Sequence, residues 1–381
     1  MIIRTSPTYR REKPCFEQKL KIGIDASRAL RKIKTGTEYY NKQIILNLSK
    51  IDSKNDYILY SQNEPINDLA KLPTNFKWRI MPFFRGWTLL RLSLEMKKNP
   101  PDVLFIPAHT LPLIVPKKSV VMIHDLNFMK NPKLYPLWQK LYHNFVIGRD
   151  TKKASHFLVP SNYTKNDLIK LLNIPEKKIT VIYHGFDIDL YKSMRQNHHI
   201  SKKFQPYIFY LGRLEAKKNL VNLVKAFDNL QNYGLQSTKL ILAGKPGHRY
   251  KEIEKEIEDR GLRKKIIELG YVKEKDLPFW FSNAVALVFP SFLEGFGLPI
   301  IEAQACGCPV LAADSSSLPE IAGDCALYFN PKDEKDMAKK ISEVLKNENL
   351  RQDLIKKGFT NIRRFSWKNS AEKTLKVLES V

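Results

Sequence analysis

The chain has 381 residues, enough for two domains with separate cores, and its 43% apolar and 27% charged content is that of a globular protein. No run of about 18 uninterrupted apolar residues occurs, which excludes a transmembrane helix, and four scattered cysteines, Cys15, Cys306, Cys308 and Cys325, exclude a disulfide scaffold and fit a reducing cytoplasm. The net charge of +25 points to an anionic partner or to a lysine-rich solvated surface; with no zinc-finger spacing, RNA-recognition aromatic motif or basic heptad helix, nucleic acid is not the expected partner.

Residues 1–18 read as a basic N-terminal extension, flexible or loosely docked, without the apolar core and cleavage site of a secretory signal. From there, short apolar runs alternate with amphipathic stretches. KIGIDAS, YILYS, DVLFIPA, VVMIHD, HFLVPS and ITVIYHG are predicted strands up to about residue 185. A second series follows in YIFYLG, KLILAG, IIELGYV, ALVFP and PVLAAD. Helical patterns lie between them at Glu38–Leu48, Tyr135–Lys153, Leu220–Leu230 and Lys251–Arg260. Such alternation predicts two doubly wound parallel-sheet domains, 19–190 and 207–364. The polar segment 191–206, with His198 and His199, reads as a solvated linker, and 365–381 as a capped helix with Ala371, Leu375 and Leu378 on one face.

The chemistry-bearing residues fall at strand ends. RALRKIKTGTEYY joins the first strand to a helix and sets Gly36 and Thr37 at the ligand edge of an open sheet. Its Arg28, Arg31, Lys32 and Lys34 are read either as contacts for an acceptor phosphate or as plain solvated charge. The stretch Phe83–Lys98 mixes Phe83, Phe84, Trp87, Leu89, Leu90 and Leu92 with Arg85, Arg91, Lys97 and Lys98. It suits an ordinary amphipathic helix against the sheet, or one lying on an anionic membrane. His124 and Asp125 end a strand, the histidine pointing to the crevice and the aspartate shaping the loop. In YLGRLEAKKNL, Arg213 follows a strand and Lys218 stands at the start of a helix, two cations placed to neutralise an anionic ligand.

The densest motif is PSFLEGFGLPIIEAQACGCPV. After the strand Ala286–Phe289, Gly295 and Gly297 permit a tight turn close to a ligand, and Pro299 opens a helix. Free N–H groups at a helix start hold phosphate. Glu294 before the turn and Glu302 in the first helical turn suit hydroxyls instead, and a ligand with both is a nucleotide sugar.

This segment resembles the glutamate-seven-residues-glutamate signature of the retaining glycosyltransferases of family four. The resemblance covers about residues 19–381 and implies the glycosyltransferase B fold, two Rossmann-like domains facing a central cleft, with the last helix crossing back to the N-terminal domain. It implies that His124 touches the transferred sugar, with its carbonyl near the reacting carbon, and that Arg213 and Lys218 hold the diphosphate. Gly36 and Thr37 would lie near donor phosphate and acceptor, Gly244 of LAGKPG and the backbone of Tyr271 and Val272 along the nucleotide. Gly295, Phe296, Gly297 and Leu298 would form the phosphate turn, with Glu294 on sugar hydroxyls and Glu302 on the ribose. It further implies retention of configuration with neither metal nor other cofactor, and no protein base is assigned. The surroundings of HDL and GTEYY look like those of bacterial polysaccharide mannosyltransferases, so GDP-mannose is the expected donor. Glucose, rhamnose and N-acetylglucosamine donors stay open, as does a sugar phosphorylase of the same fold. The expected partners are the donor, a glycan or lipid-linked acceptor, and an anionic membrane surface met from the cytoplasmic side.

Overall fold

Thirteen short strands pair into two sheets among the described residues, and every pairing between them is parallel. The computed structural model describes residues 19–31, 35–194 and 204–381, apart from the side chains of 138–140 and 142–144; the basic extension 1–18, Lys32, Lys34, His198 and His199 lie outside them.

The first sheet contains β1 (Lys21–Asp25), β2 (Asp56–Ser61), β3 (Phe76–Ile80), β4 (Val103–Ile106), β5 (Ser119–Met122), β6 (His156–Val159) and β7 (Ile179–Val181), in the order 3-2-1-4-5-6-7. The second contains β8 (Tyr207–Leu211), β9 (Lys239–Ala243), β10 (Ile266–Gly270), β11 (Ala286–Phe289), β12 (Val310–Ala313) and β13 (Leu327–Phe329), in the order 10-9-8-11-12-13. The central strands are buried on both faces, as in VLFI, SVVM, ALVF and VLAA, because helices cover both sides of a parallel sheet. In each sheet the strand order reverses beside the first strand, and ligands bind at such switch points outside the carboxyl ends.

Two strands escape the sequence reading. β3, FKWRI, alternates Lys77 and Arg79 with apolar residues, as an edge strand does, and β13 has only three residues.

The two cores meet where the chain changes domain. Ile182 belongs to the first, whereas Phe186 and Tyr191 already pack in the second. The helix Trp367–Ser380, capped by Ser366, buries Trp367, Ala371, Val377 and Leu378 in the first core together with Tyr40 and Ile44 of the helix Gly36–Ile51. The chain thus returns from the second domain to pack its last helix on the first.

Candidate active site

The chain leaves β11 at Pro290 and turns through 291–297 into the helix Leu298–Ala305. Gly297 takes φ +107°, which a side chain would strain. Three consecutive serines after β12 hold this loop. Ser315 Oγ donates to Ser291 O at 3.1 Å, and Glu294 N–H donates to Ser316 Oγ at 3.0 Å. The Ser317 hydroxyl is shared between the carbonyls of Glu294 and Phe296, each at 3.0 Å. The sequence shows the serine run but nothing that ties it to the glutamate loop, so these residues were not foreseen.

Lys218 Nζ lies 2.5 Å from Glu294 Oε1, and both side chains are largely buried. Lys218 closes the 3-10 turn Ala216–Lys218 rather than opening a helix, because Asn219 takes the left-handed conformation and the helix starts at Leu220. The buried Asn219 amide donates to Pro290 O at 3.0 Å and Pro331 O at 2.7 Å, fixing this turn beside the glutamate loop. Lys217 points elsewhere. It pairs with Glu215 at 3.4 Å and sits 5.3 Å from the centre of the Tyr135 ring, which belongs to the first domain. Burial alone would lower its pKa, but the charges of Tyr135, Glu215 and Asp125 outweigh that and raise it. Arg213 is more than half exposed, its Nε 3.8 Å from Glu215 Oε2. Gly244 stands beside it at the end of β9, so close to Gly212 that a Cβ would meet Gly212 O at 1.8 Å.

Across the cleft, His124 follows β5 and is almost fully buried. Its Nε2 is 2.9 Å from Pro107 O. A carbonyl only accepts, so Nε2 carries the proton and Nδ1 is left as an acceptor. Burial lowers the imidazole pKa to about 4, so the ring is neutral near neutral pH. Tyr40, His109 and His184 surround it at ring-centre distances of 5.1, 5.3 and 5.6 Å. The His124 carbonyl faces Gly295 so closely that a Cβ there would lie 1.8 Å from the oxygen. Asp125 Oδ1 accepts from Asn127 N at 3.0 Å. Burial raises the Asp125 pKa, but the charges of Lys217 and His109 outweigh it and the net shift is downward.

Gly36 and Thr37 begin the helix Gly36–Ile51, and Leu298 of the second domain lies over Gly36. Arg28 and Arg31 are engaged by Glu38, at 3.2 and 3.4 Å. Burial raises the Glu38 pKa, but the Thr35 hydroxyl and the two guanidiniums more than reverse it.

Glu302 is the fifth residue of its helix, which places it at the start of the second turn and not in the first as expected. Burial, reinforced by the charge of Glu274, pushes its carboxyl up to about 8 against a hydrogen bond from Tyr191. Tyr39, from the first domain, has its phenol pKa raised by burial and then by the charges of Glu274 and Glu302. Neither Tyr39 nor Tyr191 was foreseen. Phe296 is buried against Tyr183 and His184, while Tyr271 is about half exposed with Lys245 Nζ 5.6 Å from its ring, and Val272 packs on the second core. Among the described residues no three His, Cys, Asp or Glu side chains are grouped to hold a metal ion.

The segment Phe83–Lys98 divides its two readings. Trp87, Leu92 and Met96 are buried in the first domain, while Phe83, Leu90 and Leu94 are exposed and Phe84 is 91% exposed. No described helix is long and apolar enough to cross a membrane.

Comparison with known proteins bears on this site. Residues 192–360 match the family Glycosyl transferases group 1, and residues 59–190 match Glycosyltransferase Family 4. O-antigen chain mannosyltransferase B of Escherichia coli is 30% identical over 265 residues, covering 68% of this chain and 69% of that one. O-antigen chain mannosyltransferase RfbU of Salmonella typhimurium is 30% identical over 261 residues, covering 68% of each. Among solved structures, sucrose-phosphate synthase from Thermosynechococcus elongatus aligns at TM-score 0.74 and 16% identity over 95% of this chain and 99% of that one. Anabaena HepE in complex with UDP-glucose aligns at TM-score 0.73 and 17% identity over 95% and 100%. At such identities the structural likeness is one of fold.

Proposed function

Because this chain belongs to the group 1 glycosyltransferases of family four and has their two-domain glycosyltransferase B fold, we propose that it moves a mannosyl group from GDP-mannose to an acceptor hydroxyl with retention of configuration. The chain is a glycosyltransferase of polysaccharide synthesis, as its mannosyltransferase relatives are. The observation that carries the finer reading is the Lys218–Glu294 pair beside the Leu298–Ala305 helix start, opposite His124. In this reading Arg213, Lys218 and the helix N-terminus stabilise the departing diphosphate, the charge-stabilising task that dominates many active sites. Glu294 holds sugar hydroxyls, Glu302 the ribose, and the neutral His124 accepts from the sugar through Nδ1. A phosphate oxygen of the leaving group takes the acceptor proton on the same face as an oxocarbenium-like transition state passes. The His124 carbonyl and Gly295, in contact across the cleft, exclude water from that face. Incubation with a panel of nucleotide sugars tests the donor.

The acceptor in this reading is lipid-linked and met at an anionic membrane surface. Leu137, Leu141 and Phe145, spaced four apart on the helix Leu137–Lys153, are exposed. The 111–114 segment joins them to Phe84, Leu90 and Leu94: Leu113 N donates to Leu89 O at 3.3 Å, and Arg149 and Lys153 donate to the carbonyls of Leu111 and Leu113. Exposed Arg85, Lys97, Lys98 and Lys153 border this apolar face, the composition of a surface that lies on anionic lipid.

A further inference from the structure

The backbone of the glutamate loop is held from both domains at once. Within its own domain, Ser316 takes the Glu294 N–H and Ser317 takes the carbonyls of Glu294 and Phe296. The remaining carbonyl, that of Gly295, accepts from Ser161 Oγ at 2.7 Å, and Ser161 belongs to the first domain. Ser161 is fully buried and is also the N-cap of the helix Asn162–Leu172, accepting from Thr164 N at 3.2 Å.

The same helix end is capped a second time from across the cleft. Glu320, in the short helix Leu318–Ala322 of the second domain, takes the Asn162 N–H on Oε1 at 2.7 Å and the Tyr163 N–H on Oε2 at 3.1 Å. Oε1 also accepts from Asn162 Nδ2 at 2.9 Å and from the Tyr183 hydroxyl at 3.0 Å. The first N–H groups of a helix have no partner within it, and a carboxylate there is favoured by both hydrogen bonding and the helix dipole. These contacts require the two domains to be together. Glu320 stands three residues after Ser317 and four after Ser316, which holds φ +55°, a left-handed conformation that a serine adopts only when its surroundings impose it.

We propose that Glu320 and Ser161 are positioning residues that couple closure of the domains to the placement of Glu294. With the cleft closed, Glu320 completes the cap of the Asn162–Leu172 helix, and Ser161 at that cap fixes the Gly295 carbonyl and hence the carboxylate beside it. With the cleft open, Glu320 and the helix N–H groups return to water and Gly295 loses its partner. Closure is then a condition for Glu294 to meet the donor sugar, which limits hydrolysis of a donor bound to the second domain alone. This inference rests on the reading of Glu294 as the sugar-binding carboxylate.

Solution scattering, calorimetry and turnover on the full chain test it with Glu320→Ala, Glu320→Gln and Ser161→Ala. Glu320→Ala is expected to enlarge the radius of gyration and to lower turnover of the nucleotide sugar roughly 10- to 100-fold, the scale of lost charge-assisted hydrogen bonds. The dissociation constant of the nucleoside diphosphate should stay within about twofold, since a weak coupling is one near unity. Glu320→Gln, which keeps the shape and one acceptor, should fall between. Ser161→Ala should lower turnover with the radius unchanged. Wild-type scattering and turnover in both Glu320 variants would overturn the proposal, and so would a loss of turnover matched by an equal loss of nucleotide affinity. If the wild-type chain turns over no nucleotide sugar, the donor reading fails, while the radius of Glu320→Ala still decides whether Glu320 holds the cleft closed.

Discussion

Lys218 and Glu294 form an ion pair at 2.5 Å although 76 residues separate them, and they come from the two strand ends that flank the switch point of the second sheet. Neither charge is free to drift. Each fixes the other's position; in the proposed reading the ammonium then meets the diphosphate and the carboxylate the sugar.

In the proposed reading Arg213→Ala removes a cation from the diphosphate, and Lys218→Ala removes one together with the close partner of Glu294. Each change is expected to lower turnover by roughly two to three orders of magnitude, with Lys218→Ala at the upper end. The double variant Lys218→Ala with Glu294→Ala should cost less than the product of the single effects, as contacting residues do. Steady-state kinetics of the wild type, the three single variants and the double variant measures this; near-wild-type turnover of both cationic variants would remove them from the diphosphate.

The two glutamates should separate in binding and in pH dependence. Glu302→Gln is expected to weaken the bare nucleoside diphosphate, and Glu294→Gln to leave it bound while lowering transfer, as read by calorimetry. Glu302 adds a sign. Its folded carboxyl titrates at about 8 against an ordinary value of 4.5, so between those limits the folded chain holds a proton that the unfolded chain releases. Stability therefore falls as pH rises across that window, each pKa unit being worth about 1.4 kcal/mol. Melting temperatures taken from about pH 5 to about pH 8 should fall less in Glu302→Gln than in the wild type. Parallel curves for the two proteins would mean that Glu302 ionises normally.

Much of the fold was open to sequence reading because central strands of parallel sheets are continuous apolar runs, as in DVLFIPA and ALVFP. β3 was not, since FKWRI on an edge keeps Lys77 and Arg79 in water. Of the site, the residues at strand ends and glycine turns stood out, because backbone chemistry marks them locally. Lys217 and Lys218 could be ordered only by register, and it is the positive φ of Asn219 that turns one to Tyr135 and the other to Glu294. Ser161, Ser316, Ser317, Glu320 and Tyr39 carry no local mark. Their partners lie in distant segments, and only the packed domains reveal them.

Transfer should persist after exhaustive EDTA treatment. The cations at the proposed diphosphate site are Arg213 and Lys218, and a divalent ion would need a cluster of oxygen ligands. Complete loss of transfer, restored by manganese, would reassign the leaving-group chemistry.

Binding to vesicles containing phosphatidylglycerol should be strong at low salt and fade in molar salt, where the Debye length shrinks to about 3 Å. Each basic residue at such a surface contributes on the order of 1 kcal/mol. Phe84→Ser with Phe145→Ser should weaken the binding without changing turnover of a water-soluble donor. A wild-type chain that ignores these vesicles at low salt would point to a soluble acceptor.

The central claim is tested most directly by incubating the wild-type chain with GDP-mannose, UDP-glucose, UDP-N-acetylglucosamine and dTDP-rhamnose and measuring release of the nucleoside diphosphate together with the anomeric configuration of the product. Release from GDP-mannose alone, abolished by Glu294→Ala and yielding the retained anomer, is the predicted result. Release from another donor would reassign the sugar, and an inverted product or release untouched by Glu294→Ala would contradict the account of the site.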